Sequence, residues 1–551
     1  MAIWSRLRRA GTDGAALEGT QVRVRGSARA AAMPHARHGT RSAMPRPLAL
    51  GVLAASLFYV LAHLSIVQGV WPVHGTAPGA AAMLVRDGAA LVAWLLVLGV
   101  LWATRYRGSW AVVALPIIVF CLTRPTQFQL FTDPAYQATR ATRAEANELK
   151  AERSRLSTIL RAYDEERQEM VFEGAPPEMP EPFAAAAAEA RAESGALKRA
   201  SSYFSILIAP LALLLGFFWA RSGANMRRFR EHRRWPFAIT FGIFLALTLF
   251  FTELGKVRGT TPWELFLPIF VLVWAAVLAE DVYNLARPGE VVSPRRILSL
   301  LVYGALPVVP FLIIRELGLS IVLAGSLAVM LLVGTRRGWW AGLMLVVWAV
   351  LVFAAFNLDE RSATRLALAW EPYRDLSTMT AQQAESWAAK LHQIKLFDAN
   401  VLAGGVFGTG PGRGHAETAP NAADDGYITA IAAQWGWLGT LAVVAVYALF
   451  LIRMMGVAIR ERGAFERTLV MGLALLIGIP FWLATLGGLR VIPLTGVAAA
   501  FAAHGGAKLL ASSLAVGIVA GISHRRAGEA RLEEALGAPA AGAPHEGVRI
   551  R

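Results

Sequence analysis

Residues 424–453 read DDGYITAIAAQWGWLGTLAVVAVYALFLIR. An acidic pair stands at the head of a mostly apolar run that exceeds the roughly 20 residues needed to cross a bilayer. A carboxylate at the mouth of a membrane-spanning helix is costly unless it is paired, hydrated or used. Asp424 and Asp425 precede the apolar run, so they lie at the water boundary rather than in lipid. An enzyme whose substrate keeps its head in water and its tail in the bilayer would place a base at this level.

The rest of the chain has the same character. Of its 551 residues 56% are hydrophobic, and the mean hydropathy is positive, well above the usual soluble mix. About twelve apolar runs of spanning length recur, near 49–70, 82–104, 109–124, 203–221, 236–254, 262–283, 296–314, 317–334, 338–356, 426–453, 468–489 and 496–522. The fold class is all-α: a polytopic membrane protein. The single cysteine, Cys121, lies in an apolar run, so the chain cannot form an internal disulfide.

The net charge of +16 invites a nucleic-acid reading, but its distribution argues for topology instead. Arg221, Arg227, Arg228, Arg230, Arg233 and Arg234 crowd one connection, and Arg105, Arg107, Arg287, Arg336, Arg337, Arg460, Arg462, Arg525 and Arg526 occupy others of the same parity. The alternate connections, such as 71–82, carry almost no Lys or Arg. That is the positive-inside pattern, and it predicts a membrane protein with both termini cytoplasmic and no nucleic-acid partner.

Seven segments follow from this layout. Residues 1–46 are a basic, disordered cytoplasmic tail, with no cleavable leader because the first apolar run is long and lies far in. Residues 47–126 hold the N-terminal spans. Residues 127–202 are an extracytoplasmic helical hairpin, with Leu149, Leu156, Tyr163 and Met170 at seven-residue intervals and prolines at 176–182 dividing its arms. Spans resume over 203–356, an outer loop covers 357–424, the last three spans cover 425–524, and 525–551 form a second disordered tail. The hairpin reads either as a self-packed arm or as a docking surface; one apolar stripe is too narrow to establish a coiled coil.

The outer loop carries the chemistry. An amphipathic stretch near 382–394 leads to AGGVFGTGPGRG ending at Gly414, and then to the acidic pair. The glycines suit either a phosphate-cradling loop or a re-entrant turn at the membrane surface. Without a preceding strand, the phosphate reading is weakly supported. Asp424 or Asp425 could equally cap the helix that follows.

FGTGPG followed by DDGYITAIAAQWGWLG resembles the signature of the SEDS family (FtsW, RodA and SpoVE), in which F-G-x-G-x-G precedes T-D-F-I-F-A-V-I-A-E-E-L-G-x-x-G. Counting back from Gly436 and Gly439 sets Asp425 on the family's Asp and Asp424 on its Thr. IPLTGVAAAFAAHGGAKLL at 492–510 resembles I-P-L-T-G-x-x-L-P-F-x-S-Y-G-G-S-S-L-L. RELGLSI at 315–321 resembles P-D-L-G-T-A-L and sets Glu316 on an acidic position, while TPWEL at 261–265 resembles Q-P-S-E-x and keeps Pro262 and Glu264. Gln393 stands where the family often has a Tyr-Gln pair. The resemblance covers about 200–524 and implies a ten-helix core, here with two added N-terminal spans. The departures are His504, Ala507 and Lys508 for Tyr, Ser and Ser, and Ala433 and Gln434 for the paired glutamates.

The resemblance implies a glycosyltransferase that polymerises lipid II, the undecaprenyl pyrophosphate disaccharide-pentapeptide, beside a class B penicillin-binding transpeptidase. Such chemistry needs a base for the attacking sugar hydroxyl, and Asp425 is the candidate. The helix dipole would favour its ionised form. Positive charge for the leaving pyrophosphate could come from Lys395, Arg413, Arg490 or a divalent cation, Mg or Mn. Asp424, Gln393, Glu316, Glu264, His504 and Lys508 complete the candidate substrate contacts. Bland readings stand beside these: a structural Lys508–Glu316 pair, Glu264 as a helix cap, and Trp339, Trp340 and Trp348 as an interfacial belt. The rival functions are a flippase of lipid-linked precursors, a non-catalytic scaffold of the cell-wall machinery, and a polymerase of the O-antigen type.

Overall fold

Apolar helices that cross a bilayer satisfy their own backbone groups, so a chain this hydrophobic has few options but a helical bundle. The computed structural model describes residues 43–137, 205–253, 262–286, 298–313, 317–335, 337–356, 381–413, 415–419 and 421–537. Among the described residues every regular element is helical. They form α1 (Arg46–Ser65, prolonged to His74 through a π-turn), α2 (Ala80–Ala103), α3 (Trp110–Thr132), α4 (Ser205–Arg221), α5 (Gly223–Glu231), α6 (Arg234–Glu253), α7 (Leu267–Ala286) and α8 (Leu298–Phe311). Then come α9 (Leu317–Thr335), α10 (Gly338–Phe356), α11 (Ala381–Gly404), α12 (Tyr427–Arg460), α13 (Ala464–Gly488) and α14 (Gly506–Gly537).

Each of the twelve apolar runs contains a helix, but not all reach spanning length. Among the described residues eight helices are long and apolar enough: α1, α2, α3, α7, α9, α12, α13 and α14. A ninth is counted if α4 and α5, bent by 84° at their junction, form one broken span. The apolar parts of α6, α8 and α10 are shorter. The hairpin beyond residue 137, residues 1–42, 357–380 and 538–551, and Glu316 lie outside the described residues; residues 525–537 continue α14 as helix, not as the disordered tail the sequence suggests.

Two groups of helices meet at α12 and α14. On one side α13 packs on α12, α9 and α7, with α10 against α9. On the other, α3 packs on α1, α2, α12 and α14. Nearly every side chain of α3 is buried, including Pro116 and Pro125 within the helix. Its last turn runs through Thr132, so residues 127–132 belong to this span rather than to the expected hairpin.

A buried ion cluster ties α1, α2 and α3 together. Asp87, with no exposed surface, receives Arg124 through two hydrogen bonds at 2.8 and 2.9 Å and Arg86 Nε at 2.8 Å. His63 Nε2 stands 3.5 Å from the same carboxylate, and the Tyr59 hydroxyl donates to the Asp87 carbonyl at 2.8 Å. Charges inside a membrane bundle persist where they are paired in this way.

The basic connections gather at one end of the molecule. Arg107 N donates to His524 at 3.0 Å, Arg525 pairs with Glu466 at 2.9 Å, and Arg462 pairs with Glu533 at 2.9 Å. At the opposite end, Ala423 N donates to the Tyr136 hydroxyl at 3.2 Å and His504 N donates to the Ala423 carbonyl at 2.7 Å. The acidic loop and the arginine-rich connections are therefore separated by the length of the spans.

Candidate active site

The helix behind the acidic pair is not one straight span. α12 breaks at Gly436, whose φ of 65° and ψ of −169° are not helical. From Tyr427 to Gln434 every side chain is buried in protein, whereas Trp437, Leu438 and Leu441 just beyond the break are exposed. The first two turns thus form a short helix sunk in the end of the bundle opposite the arginine-rich connections, and the more exposed part of α12 begins after Gly436.

The glycine-rich run docks against this break. Thr409 N and Gly410 N donate to the Ala433 and Gln434 carbonyls at 3.1 and 3.0 Å. In return Trp437 N and Leu438 N donate to the Gly405 and Val406 carbonyls at 3.0 and 3.1 Å. Backbone groups freed by the interruption are thereby satisfied, as they must be near the membrane. A Cβ at Gly408 would collide with the Gln434 carbonyl, and one at Gly436 with the Gly408 nitrogen. Both residues also have positive φ, which favours glycine. The run is a latch on α12, and its close-packed backbone leaves the phosphate-cradle reading without support.

Above the latch, residues 421–426 form a tight turn. Asp424 N and Gly426 N both donate to the Asn421 carbonyl, at 2.9 and 3.1 Å. Gly426 occupies the N-cap position of α12, which sets Asp425 one residue ahead of the cap rather than on it. Asp425 is 7% exposed and Asp424 is half-buried. A small core of Leu130, Phe131, Tyr136, Phe397, Ala422, Ala423 and Ala430 supports the turn from below. The end of α13 closes another side, with Gly488 against Ile428 and the Asp425 carbonyl.

α11 presents a polar face to this turn. Phe397 packs against Gly426, and Gln393 and Asn400, one turn on either side, share its face by helical spacing. The Nε2 of Gln393 and the Nδ2 of Asn400 are buried and have no hydrogen-bond partner among the described residues. Asn400 escapes a motif search, although its distance of seven from Gln393 would have flagged it. Lys395, on the other face, is exposed, as is Arg413 beyond the latch. Arg490 has its charge shared with Asp398 at 2.5 Å on the surface.

His504 joins the site through its backbone bond to Ala423, and its ring lies 4.6 Å from that of Phe131. Lys508 pairs with Glu264 at 3.0 Å and also donates to the Ala498 carbonyl at 2.7 Å. Its partner is thus Glu264, in the short 3-10 turn Pro262–Leu265, and the role of Glu264 is pairing rather than capping. Gln434, in place of a family glutamate, donates to Gln129 of α3 at 2.8 Å, and Trp435 donates to Thr126 at 2.9 Å. The tryptophan belt is also revised. Trp339 is exposed, but Trp340 and Trp348 turn inward to line an apolar pocket with Trp274.

Among the described residues no three His, Cys, Asp or Glu side chains converge as a metal-ion site. What the arrangement does offer is one sheltered carboxylate beside neutral hydrogen-bonding groups, with exposed cations nearby in sequence.

A family model described as cell cycle protein, for FtsW, RodA and SpoVE, matches residues 199–528, more than half of the chain. The peptidoglycan glycosyltransferase RodA of Mycobacterium bovis is 30% identical over 231 residues, which are 42% of this chain and 47% of that protein. A probable peptidoglycan glycosyltransferase FtsW of Geobacter metallireducens is 26% identical over 316 residues, 54% of this chain and 80% of that protein. The chain spans about half the length of the mycobacterial relatives it matches. A solved peptidoglycan synthase complex aligns with a TM-score of 0.44 at 19% identity, over 61% of this chain and 96% of that one, a likeness too slight to argue from.

Proposed function

We propose that this chain, which belongs to the FtsW/RodA/SpoVE family of cell cycle proteins, is a glycosyltransferase that polymerises lipid II into peptidoglycan strands. The observation that carries the reading is Asp425: a carboxylate 7% exposed, held ahead of a buried helix at the end of the bundle away from the arginines. In the reaction, a sugar hydroxyl of one lipid-linked saccharide loses its proton to Asp425 as its oxygen attacks the anomeric carbon of the other. The bond from that carbon to the pyrophosphate breaks, and undecaprenyl pyrophosphate leaves with the electron pair. A positioned base of this kind contributes roughly 10²–10⁴-fold. Lys395 and Arg413, both exposed, are the cations we assign to the pyrophosphate, and Gln393 with Asn400 supplies hydrogen bonds to sugar.

The basic end faces the cytoplasm on this reading, both termini included, and the Asp425 end faces outward in the bacterial inner membrane. A polymerase of glycan strands needs a cross-linking enzyme beside it, and a class B penicillin-binding transpeptidase is the partner we propose.

The test is polymerisation of lipid II by purified protein. Wild type should give long glycan products, and Asp425→Asn should reduce the rate at least about 100-fold with unchanged membrane insertion. Asp425→Asn working at the wild-type rate would remove Asp425 as the base.

A further inference from the structure

At Ser222 the chain bends by 84° between α4 and α5. α4 is apolar and turns Ile208, Leu211 and Leu215 outward, as a helix in a bilayer does, so the bend lays α5 along the membrane surface. Local contacts hold it there. The Ser222 side chain accepts from Asn225 N at 3.4 Å, Met226 is 2% exposed, and the Phe229 ring meets Trp219 of α4 edge-on at 5.8 Å. The apolar side of α5 is thereby fixed to the end of the bundle, and its other side is left to arginines.

Those arginines lack counter-charge. Arg221, Arg227, Arg228, Arg230 and Arg234 are all exposed, and Glu231 is the one acidic residue between 221 and 235. Among the described residues Arg233 alone of this cluster is paired, its Nη1 donating to Glu280 of α7 at 2.8 Å. At the same end of the molecule the chain does better elsewhere: Arg462, Arg525 and Arg526 have Glu533, Glu466 and Glu529 at 2.9, 2.9 and 3.8 Å.

α6 sets the depth of the cluster. Its exposed residues Trp235, Ile239 and Ile243 recur every fourth position, a stripe that faces lipid and ends in a tryptophan 70% exposed. Tryptophan at the end of such a stripe sits at head-group level, and Arg234 immediately precedes it. A guanidinium matches phosphate oxygens through paired N–H donors. We propose that α5 and the first turn of α6 bind the phosphate head group of an anionic glycerophospholipid in the adjoining leaflet. Arg227, Arg230 and Arg234 contact the phosphate, and Trp235 rests beside the acyl chains beneath it. An acidic protein segment would also answer the charge, but a cluster that continues into a lipid-facing stripe fits a ligand with an apolar tail. The site lies at the opposite end of the spans from Asp425 and does not depend on the reaction proposed there.

Native mass spectrometry of the full-length protein in detergent tests it, with phosphatidylglycerol and phosphatidylcholine of identical chains as competing probes. Each arginine at an anionic membrane surface contributes roughly five-fold to binding, so wild type should retain phosphatidylglycerol at least about ten-fold more strongly. Replacing Arg227, Arg230 and Arg234 together by Gln should bring the preference within about two-fold. Replacing the same three by Lys keeps the charge and should keep most of the preference. A second triple, Arg105→Gln, Arg460→Gln and Arg531→Gln, removes as much charge from other exposed positions and should leave the preference unchanged. Equal losses in the two glutamine triples would reduce the effect to net charge and overturn the site, as would equal retention of the two lipids by wild type. An unchanged lipid preference in the first triple, with lost binding of an added poly-glutamate peptide, would assign α5 to an acidic protein partner and overturn it as well.

Discussion

Lys508 and Glu264 form a buried pair that shows how single residues fix this end of the bundle. Both side chains are about nine-tenths buried, and the ammonium is also bonded to the Ala498 carbonyl at 2.7 Å. Removing one partner leaves the other as an uncompensated charge at a cost of about 3–5 kcal/mol, whereas replacing both by apolar groups of similar size is often neutral or stabilising. Lys508→Met should therefore lower the thermal unfolding temperature of the detergent-solubilised protein markedly. Adding Glu264→Leu to it should restore most of the loss. If the double variant is no more stable than Lys508→Met, the pair does not couple as the geometry states. The sequence marks Lys508 and Glu264 as ionisable residues at span ends, but nothing local says that they meet. Their contact depends on how α14 crosses the turn before α7, which is a property of packing and not of either motif.

At the scale of elements, the decisive device is the latch between residues 404–410 and the break in α12. Its glycines are legible as a turn, and the run DDGYITAIAA is legible as a helix start. Their mutual backbone hydrogen bonds are not, because they follow from a break at Gly436 that the apolar pattern runs straight through. The latch makes a sharp distinction among glycines of positive φ. At Gly408 an added Cβ would meet the Gln434 carbonyl, whereas at Gly405, with φ of 51°, it would meet open space. Asn adopts the left-handed region at small cost. Gly405→Asn should thus keep near-wild-type stability and polymerisation, while Gly408→Asn should lose most activity and lower the unfolding temperature. Protease sensitivity near residue 407 offers a direct readout of a released latch. Equal tolerance of the two substitutions would show that the loop does not hold the head of α12.

For the whole molecule, hydrophobic length alone locates the apolar helices, since each run is a local property, and the arginines divide their connections into two sets. Which helices touch is illegible at that level. α3 looks like any other span, yet it is wrapped by α1, α2, α12 and α14 and carries the Arg124 that closes the Asp87 cluster. The arginine placement nevertheless makes a claim about the entire chain that one background can test. Cys121 is the single cysteine and is fully buried, so the native chain is close to unreactive toward aqueous thiol reagents, and cysteines introduced one at a time report their own location. Arg228→Cys lies on α5 in the arginine-rich connection, and Arg413→Cys lies in the exposed stretch beyond the latch; both positions are exposed. Loops rich in Lys and Arg stay in the cytoplasm, and an extracytoplasmic base requires the opposite side for residue 413. A membrane-impermeant maleimide applied to intact spheroplasts should therefore label Arg413→Cys and leave Arg228→Cys unlabelled until the membrane is permeabilised. Labelling of both before permeabilisation would break the separation of the two ends. Labelling of residue 228 alone would invert the molecule and place Asp425 on the cytoplasmic side, where it could not extend a glycan strand in the cell wall.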